Sequence, residues 1–160
     1  MLATSTRYKF TQHFRVPARE AYKWCTDYRP DDLALMHENG SRNIQHLTQD
    51  TLILTEVIQM GRRRTKKVKL VKLNPAKLEW YNIQLKGPNK HSAFLYQVHS
   101  EGSSASRLNF TGLLVVYSKR KLPGSRIRRI ASTERGYDSQ AWILLAKAME
   151  RDLNLPKKHV

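Results

Sequence analysis

One long amphipathic helix near the end of the chain constrains the fold more than any other feature of the sequence. The segment 125–153, SRIRRIASTERGYDSQAWILLAKAMERDL, has apolar or small residues at helical spacing, which predicts one apolar stripe. The members of the stripe are Ile127, Ile130, Ala131, Ala141, Trp142, Leu145, Ala146, Met149 and Leu153. Glu134 and Asp138 interrupt it on the same face, so we expect this half of the helix to lie over a cavity.

The rest of the chain reads mainly as strands joined by short links rich in Gly, Pro, Asn and Ser, as hairpins require. Two short helices are predicted after the first strand, at 18–26 and 31–36. Strands are predicted at 6–16, 41–48, 51–60, 63–73, 78–86, 92–100 and 107–117. Such a seven-stranded antiparallel sheet has one apolar face and only one long helix to cover it, so the sheet must curve around the helix. This is an α+β architecture.

Length and composition favour a single domain over residues 1–160, with its core between 6 and 155. No stretch approaches the ~18 apolar residues that a membrane-spanning helix needs. Cys25 has no partner cysteine, and the N-terminus has no apolar core of signal-peptide length, so we expect a cytoplasmic protein, with a peripheral position at the membrane as a further option. The six histidines lack metal-binding spacing, so neither a metal nor a cofactor is predicted.

Candidate ligand-binding residues are those expected to face the cavity. From the helix these are Glu134, Tyr137, Asp138 and Trp142, and from the strands Glu56, Trp80, Tyr81 and Tyr96. Glu56 alternates in phase with Leu52, Leu54 and Ile58, where a buried carboxylate is costly unless it is paired or hydrated. Two alternatives therefore stay open. Either Glu56 lines a wet pocket, or the opposite face of the strand, with Ile53, Thr55 and Val57, points inward and Glu56 is exposed.

The charge of the chain is unusual. Lys and Arg total 29 against 13 for Asp and Glu, a formal net charge of +16. Two segments without acids concentrate the excess, and we predict that both contact an anionic surface. The predicted contact residues are Arg62, Arg63, Arg64, Lys66 and Lys67 in the first segment and Arg126, Arg128 and Arg129 in the second. An anionic membrane and ribosomal RNA are both candidate partners. Alternatively, the basic residues form an ordinary solvated surface.

Residues 14–30, FRVPAREAYKWCTDYRP, carry a resemblance to a known superfamily. An apolar strand end at Val16, a helix start at Pro17-Ala18, aromatic residues at Tyr22 and Trp24, and the turn at 27–30 follow its common pattern. Together with the order of elements, this segment resembles the START-like, or Bet v 1-like, superfamily (SRPBCC proteins), which includes polyketide cyclases and the ubiquinone-binding Coq10-like proteins. The resemblance implies a helix-grip fold with an elongated apolar cavity between the sheet and the C-terminal helix.

The function expected from these observations is the binding or transport of a small hydrophobic ligand: a lipid, an isoprenoid or quinone, or a polyketide-like molecule. No catalytic residue is assigned. One alternative is an enzyme of the cyclase or aromatase type that uses Glu134, Asp138 or Glu56 as acid or base. Another is a basic protein associated with ribosomes or RNA.

Overall fold

The computed structural model describes residues 1–154 and confirms the predicted α+β helix-grip architecture. The strands are β1 (Leu2–Phe14), β2 (Gly40–His46), β3 (Thr51–Met60), β4 (Arg63–Asn74), β5 (Glu79–Lys86), β6 (Ala93–Ser100) and β7 (Ser106–Ser118). The helices are α1 (Ala18–Thr26), α2 (Asp32–Leu35) and α3 (Gly124–Asn154), with a short 3-10 turn at Pro75–Lys77. The predicted end of the core at residue 155 lies outside the described residues. No helix within residues 1–154 is both long enough and apolar enough to cross a membrane.

All seven strands form one antiparallel sheet in the order β1-β7-β6-β5-β4-β3-β2. Strands β2 to β7 are a simple meander. Its tight turns use Gly61, Gly87 and Gly102 in the left-handed region, where residues with a Cβ are strained. The first strand forms one edge of the sheet. It pairs with the last strand, from Leu2 opposite Ser118 to Phe14 opposite Ser106.

Helix α3 lies on the inner face of the curved sheet and divides the core into two clusters. The cluster under its C-terminal half includes Phe14, Leu54, Trp80 and Met149. The cluster under its N-terminal half consists of Tyr8, Phe10, Phe110, Leu114 and Ala131. Trp142 and Tyr96 contact both clusters. Leu153, predicted to face inward, is 42% exposed, so that prediction is wrong: the buried stripe ends at Met149, and the last turn extends beyond the core.

The direction of α3 determines which part of the helix meets the crevice. Its first turn is fixed by hydrogen bonds from the Arg126 and Ile127 amides to the Pro123 carbonyl, at 3.0 and 3.1 Å. At its other end, the Glu150 carboxylate accepts a bond of 3.1 Å from the Arg15 amide. Since β1 ends at Phe14, α3 runs from the end of the sheet where β7 finishes to the end where β1 finishes. Its middle, around Asp138, therefore crosses the centre of the sheet.

Candidate ligand-binding site

Several inward-facing side chains between the sheet and the N-terminal half of α3 are only partly buried. Phe94 and Tyr96 point inward because they pair with the buried residues Asn82 and Trp80 on β5, yet both remain only half-buried. The facing helix residues Asp138 and Trp142 are also half-buried. A side chain beneath a tightly packed helix would be fully enclosed. Partial exposure of residues on both facing surfaces therefore indicates space between them, which we call the crevice.

Aromatic rings form the apolar wall of the crevice. The Trp80 and Tyr96 rings stack at 4.7 Å between centroids with 2° between their planes. Trp142 reaches down from α3 to within 5.8 Å of the Tyr96 ring and 6.3 Å of the Trp80 ring. Phe94 lies 5.8 Å from Phe110 on the neighbouring strand. Such a wall of aromatic rings around a few polar groups is the usual composition of a small-molecule site.

Asp138 brings a carboxyl group into this apolar setting. Its Oδ2 accepts a hydrogen bond of 2.5 Å from the Tyr8 hydroxyl on β1. Burial raises the pKa of Asp138 to about 6; the Tyr8 bond opposes this shift, and the neighbouring Glu134 carboxylate adds to it. Burial and the Asp138 charge together raise the pKa of Tyr8, so its hydroxyl keeps its proton. The pair therefore holds a carboxyl group that changes charge near neutral pH.

The Tyr8 ring can take this position because of a glycine on the neighbouring strand. Tyr8 is opposite Gly112 in the β1–β7 register. A Cβ at position 112 would lie 2.7 Å from Cζ and 2.8 Å from Cε1 of the Tyr8 ring. Real Cβ atoms do not approach a ring this closely, so any other residue at this position would displace Tyr8. Gly112 is thus part of the support of the Tyr8–Asp138 bond.

Asn82 presents a buried polar atom without a protein partner. The residue is 5% exposed on the inner face of β5, and its Nδ2 donates to the Tyr96 hydroxyl at 3.3 Å. Its Oδ1 is buried and has no hydrogen-bond partner among residues 1–154. Most buried polar atoms in proteins are hydrogen-bonded, so an unpaired acceptor beside a crevice is informative. It is available to a hydrogen-bond donor from a ligand or from water.

Glu56 is inward and ion-paired, with 1% of its surface exposed, so the alternative with an exposed Glu56 is wrong. Its Oε2 accepts from Arg42 at 2.8 Å, and its Oε1 lies 2.7 Å from the Lys69 ammonium. Arg42 also bonds Asp32 on α2 at 2.8 Å. Burial alone would raise the pKa of Glu56, but Lys69 and Arg42 outweigh it and lower the value to about 2. This carboxylate is therefore charged at neutral pH, and through Arg42 it connects the sheet to α2.

Solved structures with the same architecture come from several classes of protein. The Zhui aromatase/cyclase from Streptomyces sp. R1128 is 13% identical with a TM-score of 0.77, and the match covers 92% of this chain and 95% of that one. A START superfamily protein from Mycobacterium smegmatis is also 13% identical, with a TM-score of 0.68 over 91% and 97% of the two chains. Norcoclaurine synthase from Thalictrum flavum, in complex with dopamine and hydroxybenzaldehyde, is 9% identical with a TM-score of 0.68 over 91% and 87%.

The protein has the START-like, or Bet v 1-like, fold. The identities are too low to assign more than the fold. At the level of sequence, neither a protein-family model nor a curated protein matches the chain.

Within this START-like fold, the predicted ligand-binding residues separate into two groups. Trp80, Tyr96, Trp142, Glu134 and Asp138 come together around the crevice, and Glu56 lies further along the same inner face. Tyr81 and Tyr137 point outward and are 41% and 71% exposed, so their expected cavity-facing position is wrong.

Sequence reasoning missed several polar residues of the inner face. These are Tyr8, Arg42, Lys69 and Asn82. Asn82 carried a usable signal, since it lies two residues after Trp80 and must share its face. Lys67 was predicted to contact an external anionic surface, but it pairs with Glu56 in the register and is a half-buried residue of the inner face. The other predicted basic contacts are exposed. No group of three or more potential metal-ligating side chains occurs within the part of the chain that the structure describes.

Proposed function

We propose that the protein binds a small hydrophobic ligand in the crevice between the sheet and α3. The observation that carries this proposal is the accessibility of inward-facing aromatic rings, Phe94, Tyr96 and Trp142, beside the unpaired Asn82 Oδ1. Accessible apolar surface beneath a helix is unfavourable in water, and a ligand with a matching apolar body would remove it from solvent.

The polar groups favour a ligand with at least one hydrogen-bond donor. Asn82 Oδ1 can accept such a bond, and the second oxygen of the Asp138 carboxylate can accept another. Flat aromatic walls favour a ring system over a flexible chain, since rings stack with little loss of conformational freedom. Among the expected ligand classes, a hydroxylated, polyketide-like aromatic molecule fits these groups better than an aliphatic lipid. Norcoclaurine synthase, of the same fold, was solved with two small aromatic molecules.

A matched pair of probes tests whether the crevice binds an aromatic molecule and whether it prefers one that donates a hydrogen bond. 1-Naphthol and 1-methylnaphthalene have similar size, but only the first donates a hydrogen bond. We expect both to change the fluorescence of Trp80 and Trp142, with 1-naphthol binding more tightly. Asn82→Leu should remove the preference for 1-naphthol, at a loss on the order of tenfold for one hydrogen bond. Tyr137→Phe, on the exposed face of α3, is the control and should change neither affinity.

Two outcomes would contradict the proposal. Absence of saturable binding of either probe would argue against an accessible crevice. Binding with no preference, or a preference that Asn82→Leu leaves unchanged, would argue against Asn82 as the polar contact. Native mass spectrometry of the protein as purified provides an independent check, since a co-purified small molecule would identify the ligand class.

A second candidate function is acid–base catalysis in the same crevice, as in the cyclase alternative. Asp138 favours it, because a carboxyl group with a pKa of about 6 can both accept and donate a proton near neutral pH. Glu56 does not fit the role, since two cations hold its pKa at about 2 and make it a weak base. Turnover of a poly-β-ketone thioester that is lost in Asp138→Asn, while binding is retained, would support catalysis. Binding without turnover would leave the carrier function alone.

A further inference from the structure

The antiparallel register brings the two basic segments of the chain to the same end of the molecule. Strands β3, β5 and β7 run in the same direction, so the residues that follow them lie at one end of the sheet. The first turn of α3 starts from this end as well. We call this region the basic end. Its exposed cations are Arg62, Arg63, Arg64, Lys86, Lys90, Lys119, Arg120, Lys121, Arg126, Arg128 and Arg129.

The charge of the basic end is not neutralised within residues 1–154. None of its cations lies within 4.0 Å of a carboxylate in this part of the chain, and the salt bridges found there involve other groups. Several carboxylates instead lie toward the opposite end of the sheet. Asp50 precedes β3, Glu79 begins β5 and Glu101 precedes β7. The basic end is thus a concentrated positive surface.

Exposed apolar side chains accompany these cations. Met60, at the tip of the β3–β4 hairpin, is 68% exposed beside Arg62–Arg64, and Met1 and Leu2, beside the end of β7, are 86% and 52% exposed. An open pocket of about 500 Å³, lined by Ser125, Arg126, Arg129 and Ile130, lies at the start of α3. Cations surrounding apolar side chains are typical of surfaces that lie on lipid bilayers.

We propose that the basic end docks on an anionic lipid bilayer. Its cations face the lipid headgroups, and Met1, Leu2 and Met60 enter the boundary between headgroups and acyl chains. RNA is the less suitable partner, because binding of single strands relies on aromatic stacking. The aromatic residue at this end, Tyr117, is engaged by a hydrogen bond with His91. The docking does not depend on what the crevice binds.

Vesicle sedimentation with the full-length protein tests this inference. Phosphatidylcholine vesicles with and without phosphatidylserine, at low and high salt, separate electrostatic docking from apolar adsorption. We expect binding only to the anionic vesicles, and weaker binding at high salt. The variant Arg62→Glu/Arg63→Glu/Arg64→Glu should weaken partitioning by at least about a hundredfold, since each basic residue near the bilayer contributes about fivefold and the new carboxylates are repelled by the anionic lipids. Met60→Ser should weaken it less and independently of salt.

The matched control reverses three exposed cations outside the basic end. Arg19→Glu/Lys77→Glu/Lys147→Glu changes the net charge by the same amount. Because it leaves the basic end intact, it should retain binding to anionic vesicles. Circular dichroism of both variants checks that the fold is intact. Equal losses in the two variants would show that only total charge matters and would overturn the proposal. Absence of binding to anionic vesicles, or displacement from them by a homopolymeric RNA at equal phosphate concentration, would overturn it as well.

Discussion

The Asp138 carboxyl group is ionised at neutral pH at an energetic cost. Burial, with a contribution from Glu134, raises its folded-state pKa to about 6, against about 3.9 in an unfolded chain. Between these values the native state binds more protons than the unfolded state, so stability falls as the pH rises through this window. Asp138 thus opposes folding at pH 7 and not at pH 4, which is the pattern of a residue kept for function.

Replacing Asp138 should therefore stabilise the protein at neutral pH. Asp138→Asn keeps an acceptor for Tyr8 and removes the charge, so we expect the free energy of unfolding at pH 7 to rise by about 1–3 kcal/mol. At pH 4 the two proteins should be nearly equal. Urea denaturation at both pH values measures the difference, with the exposed Asp31→Asn as control. If Asp138→Asn were only as stable as the parent protein at both pH values, this would contradict the buried, ionised state of Asp138.

Glu56 has the opposite effect on stability at neutral pH: its ionised carboxylate stabilises the fold. Its folded-state pKa of about 2 lies below the unfolded value, so it contributes stability above about pH 4.3 that is lost as the pH falls toward 2. Glu56→Gln leaves Arg42 and Lys69 without their shared partner, and we expect a loss of about 3 kcal/mol at pH 7. The loss should diminish below pH 4 in urea denaturation. Glu38→Gln, exposed and unpaired in the described chain, is the control, and an equal effect of both substitutions would argue against the network.

The phase of each residue in its element explains which site residues were predictable. Trp80, Tyr96 and Asp138 follow from the alternation of strands and the spacing of the helix. The wrong prediction that Tyr81 faces the cavity was avoidable, because neighbours on a strand point to opposite faces and Trp80 is inward. The pairing of Arg42 with Glu56 was not predictable, because it depends on the β2–β3 register and on the position of α2. Local periodicity predicts the face on which a residue lies, whereas predicting its contact partner requires the tertiary structure.

At the scale of elements, the β1–β7 pair supports the Tyr8–Asp138 bond, because Gly112 on β7 has no Cβ and leaves room for the Tyr8 ring. Gly112→Ala would place a methyl group 2.7 Å from the Tyr8 ring, so β1 or the ring must move and the Asp138 bond is lost. We expect a loss of about 1–3 kcal/mol in the free energy of unfolding, as in other overpacked cores. The pKa of Asp138, followed by carboxyl NMR, should rise above about 6 once the Tyr8 bond no longer lowers it.

A second glycine provides the control. Gly136 lies in the interior of α3, and a Cβ added to it would meet no neighbouring atom of residues 1–154 within 4 Å. Gly136→Ala should therefore increase stability by up to about 1 kcal/mol, since glycine disfavours helix interiors. Thermal unfolding of the two variants should show shifts of opposite sign. A stabilising Gly112→Ala would mean that Tyr8 does not occupy the space above Gly112.

The order of elements was predictable because the signals for it are local. The predicted bounds of α1 and β3 agree with the structure, and α3 differs by one residue at each end. Turn residues and changes of period mark such boundaries without any tertiary information. The pairing of β1 with β7 was not predicted. Their partner residues are about a hundred positions apart, and no local pattern records that contact.

At the scale of the whole molecule, the two regions for which we propose binding lie apart from each other. The crevice occupies the middle of the inner face, and the basic end lies where α3 begins. The eleven exposed cations of the basic end, in a chain with a net charge of +16, give the molecule an electrical asymmetry. Such an asymmetry orients a protein as it approaches a negatively charged surface, and it speeds association at low ionic strength.

Pairing of the first strand with the last delays completion of the sheet during folding. Strands β2 to β7 form successive hairpins with short loops, whereas β1 must close a loop of roughly a hundred residues. We therefore expect Leu54→Ala, in β3, to slow folding in stopped-flow measurements. Phe10→Ala, in β1, should mainly speed unfolding. A folding rate that is more sensitive to Phe10 than to Leu54 would place β1 in the early nucleus.

The same topology affects the chain while it is being synthesised. β1 leaves the ribosome before its partner β7, so its apolar residues Tyr8, Phe10 and Phe14 stay unpaired until Ser106–Ser118 has been synthesised. Unpaired strands of this kind invite association with other chains. The alternate positions are occupied by Arg7, Lys9, His13 and Arg15, all exposed in the finished fold. The charged Arg7, Lys9 and Arg15 act as gatekeepers, making the nascent strand a poor template for aggregation until its own partner emerges.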